Sequence, residues 1–234
     1  MAQYLLQQNV YLCLIDGTAI LLNLPKDEYI GLSAEQADAL STVVKGWPIN
    51  SQTEARDSAK AIELAESLAK KELLTRNAAK GKEASLVAFP TPQTELLEQI
   101  FTPELKISHV WHFFIAYVKS RVLLRRGNLD GFFLSIRARK SLHECLAPVD
   151  DQCTKTLTRI FFALRPFFYT HKNMCLLDSL VLVEFLARYR QFPTFLIGVR
   201  ANPFGAHSWV QIGDCVLSGH AADYVRRFRP ILAI

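Results

Sequence analysis

Two residues of this 234-residue chain have the type and the setting for nucleophilic chemistry. Cys175 begins an apolar run, Cys175-Leu-Leu-Asp-Ser-Leu-Val-Leu-Val-Glu-Phe-Leu186, after a polar, helix-poor segment, Tyr169-Thr-His-Lys-Asn173. The run reads as a helix with the cysteine at its start. The first N–H groups of a helix lack intrahelical acceptors and the dipole there is positive, which favours thiolate over thiol. His207 opens a strand, Ala206-His-Ser-Trp-Val-Gln-Ile212, after a glycine-containing loop. An imidazole facing the sulfur would take its proton and return it to a leaving group. Against this stand two plainer readings: a free cysteine is by default a small buried hydrophobe, and a strand histidine by default a satisfied structural residue.

The other candidates are weaker. Cys13 and Cys215 fall on strands and Cys145 and Cys153 near helix ends, positions that packing explains. Five cysteines without a C-x-x-C spacing argue against a disulfide framework or a zinc site and point to a reducing cytoplasm. His109 and His112 have the i,i+3 spacing of metal ligands, yet no third ligand accompanies them, so no metal and no cofactor is expected. A third group should orient the imidazole. A two-residue turn at Gly213-Asp214 pairs Ile212 with Cys215, sets His207 opposite His220 and leaves Asp214 at the far tip. Ser218, His220 and Asp223 are nearer; none stands out, and a Cys–His dyad is equally open.

The elements that must hold these residues are mostly helical. Helices are predicted over Thr94–Phe101, Ile107–Arg126, Leu129–Leu146, Cys153–Arg165 and Cys175–Arg190, then a strand over Phe195–Arg200 and the hairpin Ala206–Ile212 with Cys215–Leu217. Ahead of them lies a different unit. Val10–Ile15 and Thr18–Leu24 flank Asp16-Gly17, a strong hairpin signal, and Glu28–Leu32 gives a third short strand. Ser33 with Gln36 forms a capping box for a helix running to Lys45, before Gly46-Trp-Pro48, and a second helix spans Thr53–Thr75. Residues 76–94 break the composition and end in Pro90 and Pro92. The expected organisation is α+β, with domains over 1–80 and 95–234 and a linker over 81–94.

Charge follows the same division. Residues 1–85 carry nine Lys/Arg against eleven Asp/Glu, a net −2, and residues 86–234 carry eighteen against eleven, a net +7. A winged-helix reader of DNA would need a basic face on the first unit, so nucleic acid is set aside as a partner. The short strand Glu28–Leu32 can instead accept a peptide strand by edge pairing. No run of about 18 apolar residues occurs, and the first residues lack a signal-peptide pattern, so a cytoplasmic location is expected; membrane association stays open.

Taken together, Cys175-Leu-Leu-Asp-Ser-Leu180, Ile197-Gly-Val-Arg200, Pro203-Phe204 and Ala206-His-Ser-Trp-Val210 resemble the lasso-peptide leader peptidases of bacteria, the transglutaminase-like B proteins of lasso-peptide biosynthesis. Val122-Leu-Leu-Arg-Arg-Gly127 fits the same family. By its pattern of hairpin, third strand and two helices, the N-terminal part resembles a PqqD-like peptide-recognition element. The resemblance implies a small winged-helix-like three-stranded domain followed by a transglutaminase-like (papain-like) cysteine peptidase domain, mainly helical with a C-terminal antiparallel sheet. It implies an endopeptidase that cuts the leader from a lasso precursor, with Cys175 as nucleophile and His207 as general base. The leader would add a strand to Glu28, Tyr29, Ile30, Gly31 and Leu32 and pack on the second helix at Leu64 and Leu68. The core peptide would pass to an ATP-dependent lasso cyclase. The family's usual aspartate aligns with Gly219, so the third member stays unassigned. A non-catalytic leader-binding scaffold is the alternative, and acyl transfer shares the thioester step.

Overall fold

The hairpin signal at Asp16-Gly17 marks where the first sheet is built. The computed structural model describes residues 4–48, 58–96, 104–127, 129–144, 150–170, 174–218 and 221–234. The chain divides into two units, residues 1–88 together with 199–205, and residues 89–198 together with 206–234.

The first unit contains β1 (Leu5–Gln7), β2 (Val10–Ile15), β3 (Thr18–Asn23), β4 (Glu28–Leu32), α1 (Ala34–Leu40), α2 (Ser58–Lys70), β5 (Leu74–Thr75) and β6 (Gly81–Lys82). Asp16 and Gly17 both take positive φ, 49° and 80°, the twist that lets a two-residue loop join antiparallel strands, and Ile15 pairs with Thr18 across it. The sheet runs β2-β3-β4, leaving β4 at one edge. Alternation sorts its faces. Leu12, Ala19, Leu21 and Leu32 pack with Leu40 of α1 and with Ala61, Ala65 and Leu68 of α2, with Ile30 partly buried beside them. The capping box is present: the Gln36 N–H donates to Ser33 Oγ at 3.3 Å and the Ser33 N–H to Gln36 Oε1 at 3.0 Å. The helix ends earlier than Lys45. After Leu40 the chain turns so that Val43, Val44 and Trp47 enter the core, and the Tyr4 and Lys45 backbones bond to the segment's partners instead of to helix carbonyls. A second sheet, β5-β1-β6, is too short to leave a periodicity in sequence. Residues 53–57 of the predicted second helix lie outside the described residues; α2 occupies the rest to Lys70.

The second unit contains β7 (Thr94–Glu95), α3 (Ile107–Arg126), α4 (Leu129–Glu144), α5 (Asp151–Leu164), α6 (Cys175–Ala187), most of β8 (Thr194–Arg200), β9 (Gly205–Ile212), β10 (Cys215–Val216), α7 (Ala222–Val225) and β11 (Arg229–Ala233). Its sheet has the order β11-β8-β9-β10-β7. Every residue of α6 from Leu177 to Ala187 is buried, so this helix is the axis on which α3, α4 and α5 pack. The two acids inside it are compensated. Glu184 meets Lys119 at 3.0 Å and Arg139 at 2.7 Å, and Asp178 meets Arg165 at 2.9 Å. On the sheet, a Cβ on Gly198 would fall 2.7 Å from the Trp209 ring, so glycine is what lets that indole lie flat against β8.

Two expectations are corrected. Thr94–Glu95 is a strand, not the start of a helix, because the backbone of β10 is its partner: Gln93 N–H bonds to Asp214 O at 2.8 Å and Leu96 N–H to Val216 O at 2.8 Å. Residues 97–101 of that predicted helix lie outside the described residues. The C-terminal sheet is therefore mixed rather than wholly antiparallel, since β7 and β10 run parallel. Within the segment 81–94, Gly81–Lys82 form β6 and Thr94 begins β7. With 45% of the described residues in helix and 25% in strand, the class is mixed α and β.

Candidate functional site

Cys175 is the first residue of α6, as its sequence setting predicts. The residue before it, Met174, is non-helical (φ −121°, ψ 39°) and makes no side-chain cap, and the helix ladder begins with Asp178 N–H to Met174 O at 2.9 Å. The N–H groups of Cys175, Leu176 and Leu177 are thus the ones that helix geometry leaves without an acceptor in the ladder. Cys175 is partly exposed, whereas Cys13 and Cys215 are buried. Cys153 is half-buried on α5, and burial together with the Asp150 carboxylate pushes its thiol above the ordinary cysteine range.

His207 is on β9 and 5% exposed. Its ring lies in an aromatic enclosure: near-parallel to Trp209 (6.2 Å between centroids, 12°), edge-on to Tyr224 (5.2 Å, 84°) and against Phe228 (5.2 Å, 36°). Period two along the strand puts His207 and Trp209 on one face. Trp209 is in turn fixed. Its Nε1–H donates to Gln211 Oε1 at 2.9 Å, while Gln211 Nε2 donates to Pro90 O at 2.9 Å and to Gly213 O at 2.8 Å. Gln211 is fully buried with both amide protons and its carbonyl used, so the stack beside the imidazole is held by an amide network.

The residues weighed as a third member separate clearly. Asp223 is exposed and paired with Arg226, the residue just after the same short helix, a surface ion pair. Asp214 is at the β9–β10 turn, where its backbone carbonyl receives Gln93 and Thr94. Ser218 is fully buried. Gly219 and His220 lie outside the described residues. His109 and His112 both present to the Tyr189 ring, and His109 Nδ1 accepts from the Lys106 N–H at 3.2 Å, closing the start of α3. Among the described residues no group of three potential metal ligands forms.

Asp178 has a role that its sequence position only hinted at, through an acid in an otherwise apolar run. It is 1% exposed, three residues past Cys175, and its carboxylate receives Arg165 Nη1 at 2.9 Å and the Tyr169 hydroxyl at 2.7 Å. Arg165 is itself 2% exposed. This buried triad ties the first turn of α6 to the end of α5 and the segment after it.

The peptide-binding candidates are partly redistributed. Glu28–Leu32 form the edge strand β4, with Tyr29 and Gly31 on the face opposite the core and Ile30 and Leu32 on the core side. Leu68 is 3% exposed and Leu64 packs against the same core, so Leu68 is filled in by its own unit and is corrected from a surface contact to a core residue. The apolar side chain that α2 does expose is Ile62, at 42%.

Residues 116–233, half of the chain and the part that carries both Cys175 and His207, match the family model described as the transglutaminase-like superfamily. The chain belongs to the transglutaminase-like superfamily. The match ends inside β11 and begins within α3, so it spans the helix that starts at Cys175 and the strands that carry His207. No curated protein and no solved structure matches the chain. No helix among the described residues is long and apolar enough to cross a membrane.

Proposed function

We propose that this transglutaminase-like chain is a cysteine endopeptidase that removes the leader from a ribosomally made lasso-peptide precursor. The observation that carries the proposal is a cysteine at the exposed start of a buried helix, in a family segment that also supplies a strand histidine. In the proposed reaction the Cys175 thiolate adds to the carbonyl carbon at the leader–core junction. The N–H groups at the start of α6 stabilise the resulting oxyanion. His207, protonated by the thiol, gives its proton to the departing amine as the C–N bond breaks, which releases the core. It then takes a proton from water, whose oxygen attacks the thioester, frees the leader acid and restores the thiol. The edge of β4 receives the leader as an added strand, and the released core passes to an ATP-dependent cyclase.

The test is incubation of the purified chain with a lasso precursor, read by mass spectrometry. The expected products are an intact core and a leader ending in a free acid. Cys175→Ala should abolish cleavage and retain precursor binding. Cleavage that survives in this variant would exclude Cys175 as the nucleophile.

A further inference from the structure

Strand glycines usually have a reason inside the fold, and three in this chain do. A Cβ on Gly81 would fall 2.6 Å from Leu5, one on Gly198 2.7 Å from Trp209, and one on Gly205 2.9 Å from Arg200. Gly31, in the middle of β4, is the exception: nothing lies within 4 Å of the position its Cβ would take, and its backbone needs no left-handed conformation. An interior strand glycine costs about 0.5–1 kcal/mol relative to alanine, and such a residue often marks where another chain or a ligand approaches closely.

The space over Gly31 is a cavity of about 410 Å³ within the first unit. Its floor is Ile20, which pairs with Gly31, and its walls include Tyr29, Leu32, Asn202 and Phe204. Tyr29 and Phe204 meet at 5.6 Å with ring planes 59° apart, and Phe204 is still 55% exposed. Among the described residues, no Asp, Glu, Lys, Arg or His lines the cavity. A volume in the range of about 300–1,000 Å³, lined by Ile20, Tyr29 and Phe204 together with the uncharged polar side chains of Thr18, Ser33 and Asn202, is that of a ligand pocket, and such a lining favours an uncharged group over a phosphate or carboxylate. The cavity is on the face of β4 opposite the core, and β4 is the edge of its sheet. A strand added to that edge alternates its side chains between the two faces, so every second residue would fall on the face of Gly31 and the one in register would stand beside it.

We infer that this cavity is an anchor pocket for one aromatic or branched apolar side chain of a peptide strand added to β4, which makes Gly31, Tyr29 and Phe204 specificity-determining residues. The inference rests on the peptide-capturing role proposed above. It sets the recognition rule by chemistry: an extended peptide with an uncharged, bulky residue at one position, its alternate neighbours tolerant.

Two measurements test it on the full chain. In the first, the ¹⁵N-labelled protein is titrated with N-acetyl-phenylalanine amide and, separately, with N-acetyl-lysine amide. The phenylalanine probe should shift the backbone amide signals of Gly31, Ser33 and Asn202, the lysine probe should not, and Gly31→Leu should remove the response. In the second, a lasso precursor should bind Gly31→Leu about tenfold or more weakly, as for loss of one buried anchor, with melting temperature unchanged. Gly31→Ala serves as the second variant, since the open space admits its methyl group; it should bind with intermediate affinity. If neither probe shifts these signals, or if precursor affinity is indifferent to both variants, the pocket is not an anchor. Precursor bound and cleaved equally by Gly31→Leu overturns this inference and leaves the peptidase reading standing. A phenylalanine response without any precursor binding supports the pocket and overturns the peptide-capturing role.

Discussion

At the scale of single residues, His207 is held among the rings of Trp209, Tyr224 and Phe228. The near-parallel Trp209 ring limits how the imidazole can rotate, and Gln211 limits the indole. The same logic makes two other histidines sensitive to acid. Burial holds His109 below the ordinary histidine range, with Lys106 and His112 adding to it, and burial followed by Arg188 does the same for His112. An unfolded histidine titrates near about pH 6.5. As pH falls below that value the unfolded chain binds protons before the folded one, so stability is complete above it and declines toward the lower folded values. Protonation of His109 also removes the Nδ1 acceptor that receives the Lys106 N–H. The melting temperature should therefore be flat from about pH 8 to 7 and fall from about pH 6.5 to 5.5. His109→Gln, which keeps an acceptor at the same helix position, should flatten part of that slope; an unchanged slope would remove His109 as a cause. The helix start at Cys175 and the strand that carries His207 were legible in the sequence because each is set by a local boundary. Asp178 and Gln211 were not, because their meaning depends on Arg165 and Tyr169 in one case and on Pro90, far back in the chain, in the other.

At the scale of elements, α6 explains why a catalytic candidate can sit at a helix start without drifting. A helix buried along its length is fixed by packing, but its first turn is the place where helices fray. Here that turn is bound through Asp178 to Arg165 and Tyr169, both beyond its own ladder. Removing the carboxylate takes away the anion paired with a guanidinium that is 2% exposed. Breaking a buried pair in this way costs about 3–5 kcal/mol, so Asp178→Ala should lower the unfolding free energy, read from denaturant titration, by an amount of that order. The double replacement Asp178→Asn with Arg165→Met should recover much of the loss, because it removes both charges rather than one. If Asp178→Ala is as stable as the parent, the pair does not hold the turn. The long helices and the hairpins were legible from period and turn chemistry: α3 begins and ends where the pattern predicts, and Ile212 pairs with Cys215. The short strands β1, β5, β6, β7 and β11 escaped because two to five residues leave no period, and Thr94–Glu95 takes its conformation from a distant partner.

At the scale of the whole molecule, the chain joins a net-negative segment, residues 1–85, to a net-positive one, residues 86–234, and the family match covers only the later part. The division of the chain at residue 88 falls within the segment 76–94 where the composition breaks. The return of residues 199–205 to the first unit was not legible in the sequence, since a loop between two strands carries no mark of the surface it joins. That return decides how the capture role should be tested. A cut at residue 88 would remove most of the first unit but strand one of its segments, so weakened processing by the fragment could reflect damage rather than lost capture. The undivided chain gives a cleaner comparison. If the first unit concentrates the scissile bond near Cys175, excess free leader should slow cleavage of a full precursor, because it competes for capture. It should leave unchanged the slower cleavage of a short peptide that spans only the junction, since that substrate never used the first unit. At saturating leader the two substrates should approach the same kcat/KM, with the precursor losing about a hundredfold if tethering supplies the usual advantage. Equal inhibition of both substrates would place leader binding at the catalytic site itself, and no inhibition of either would remove the capture role.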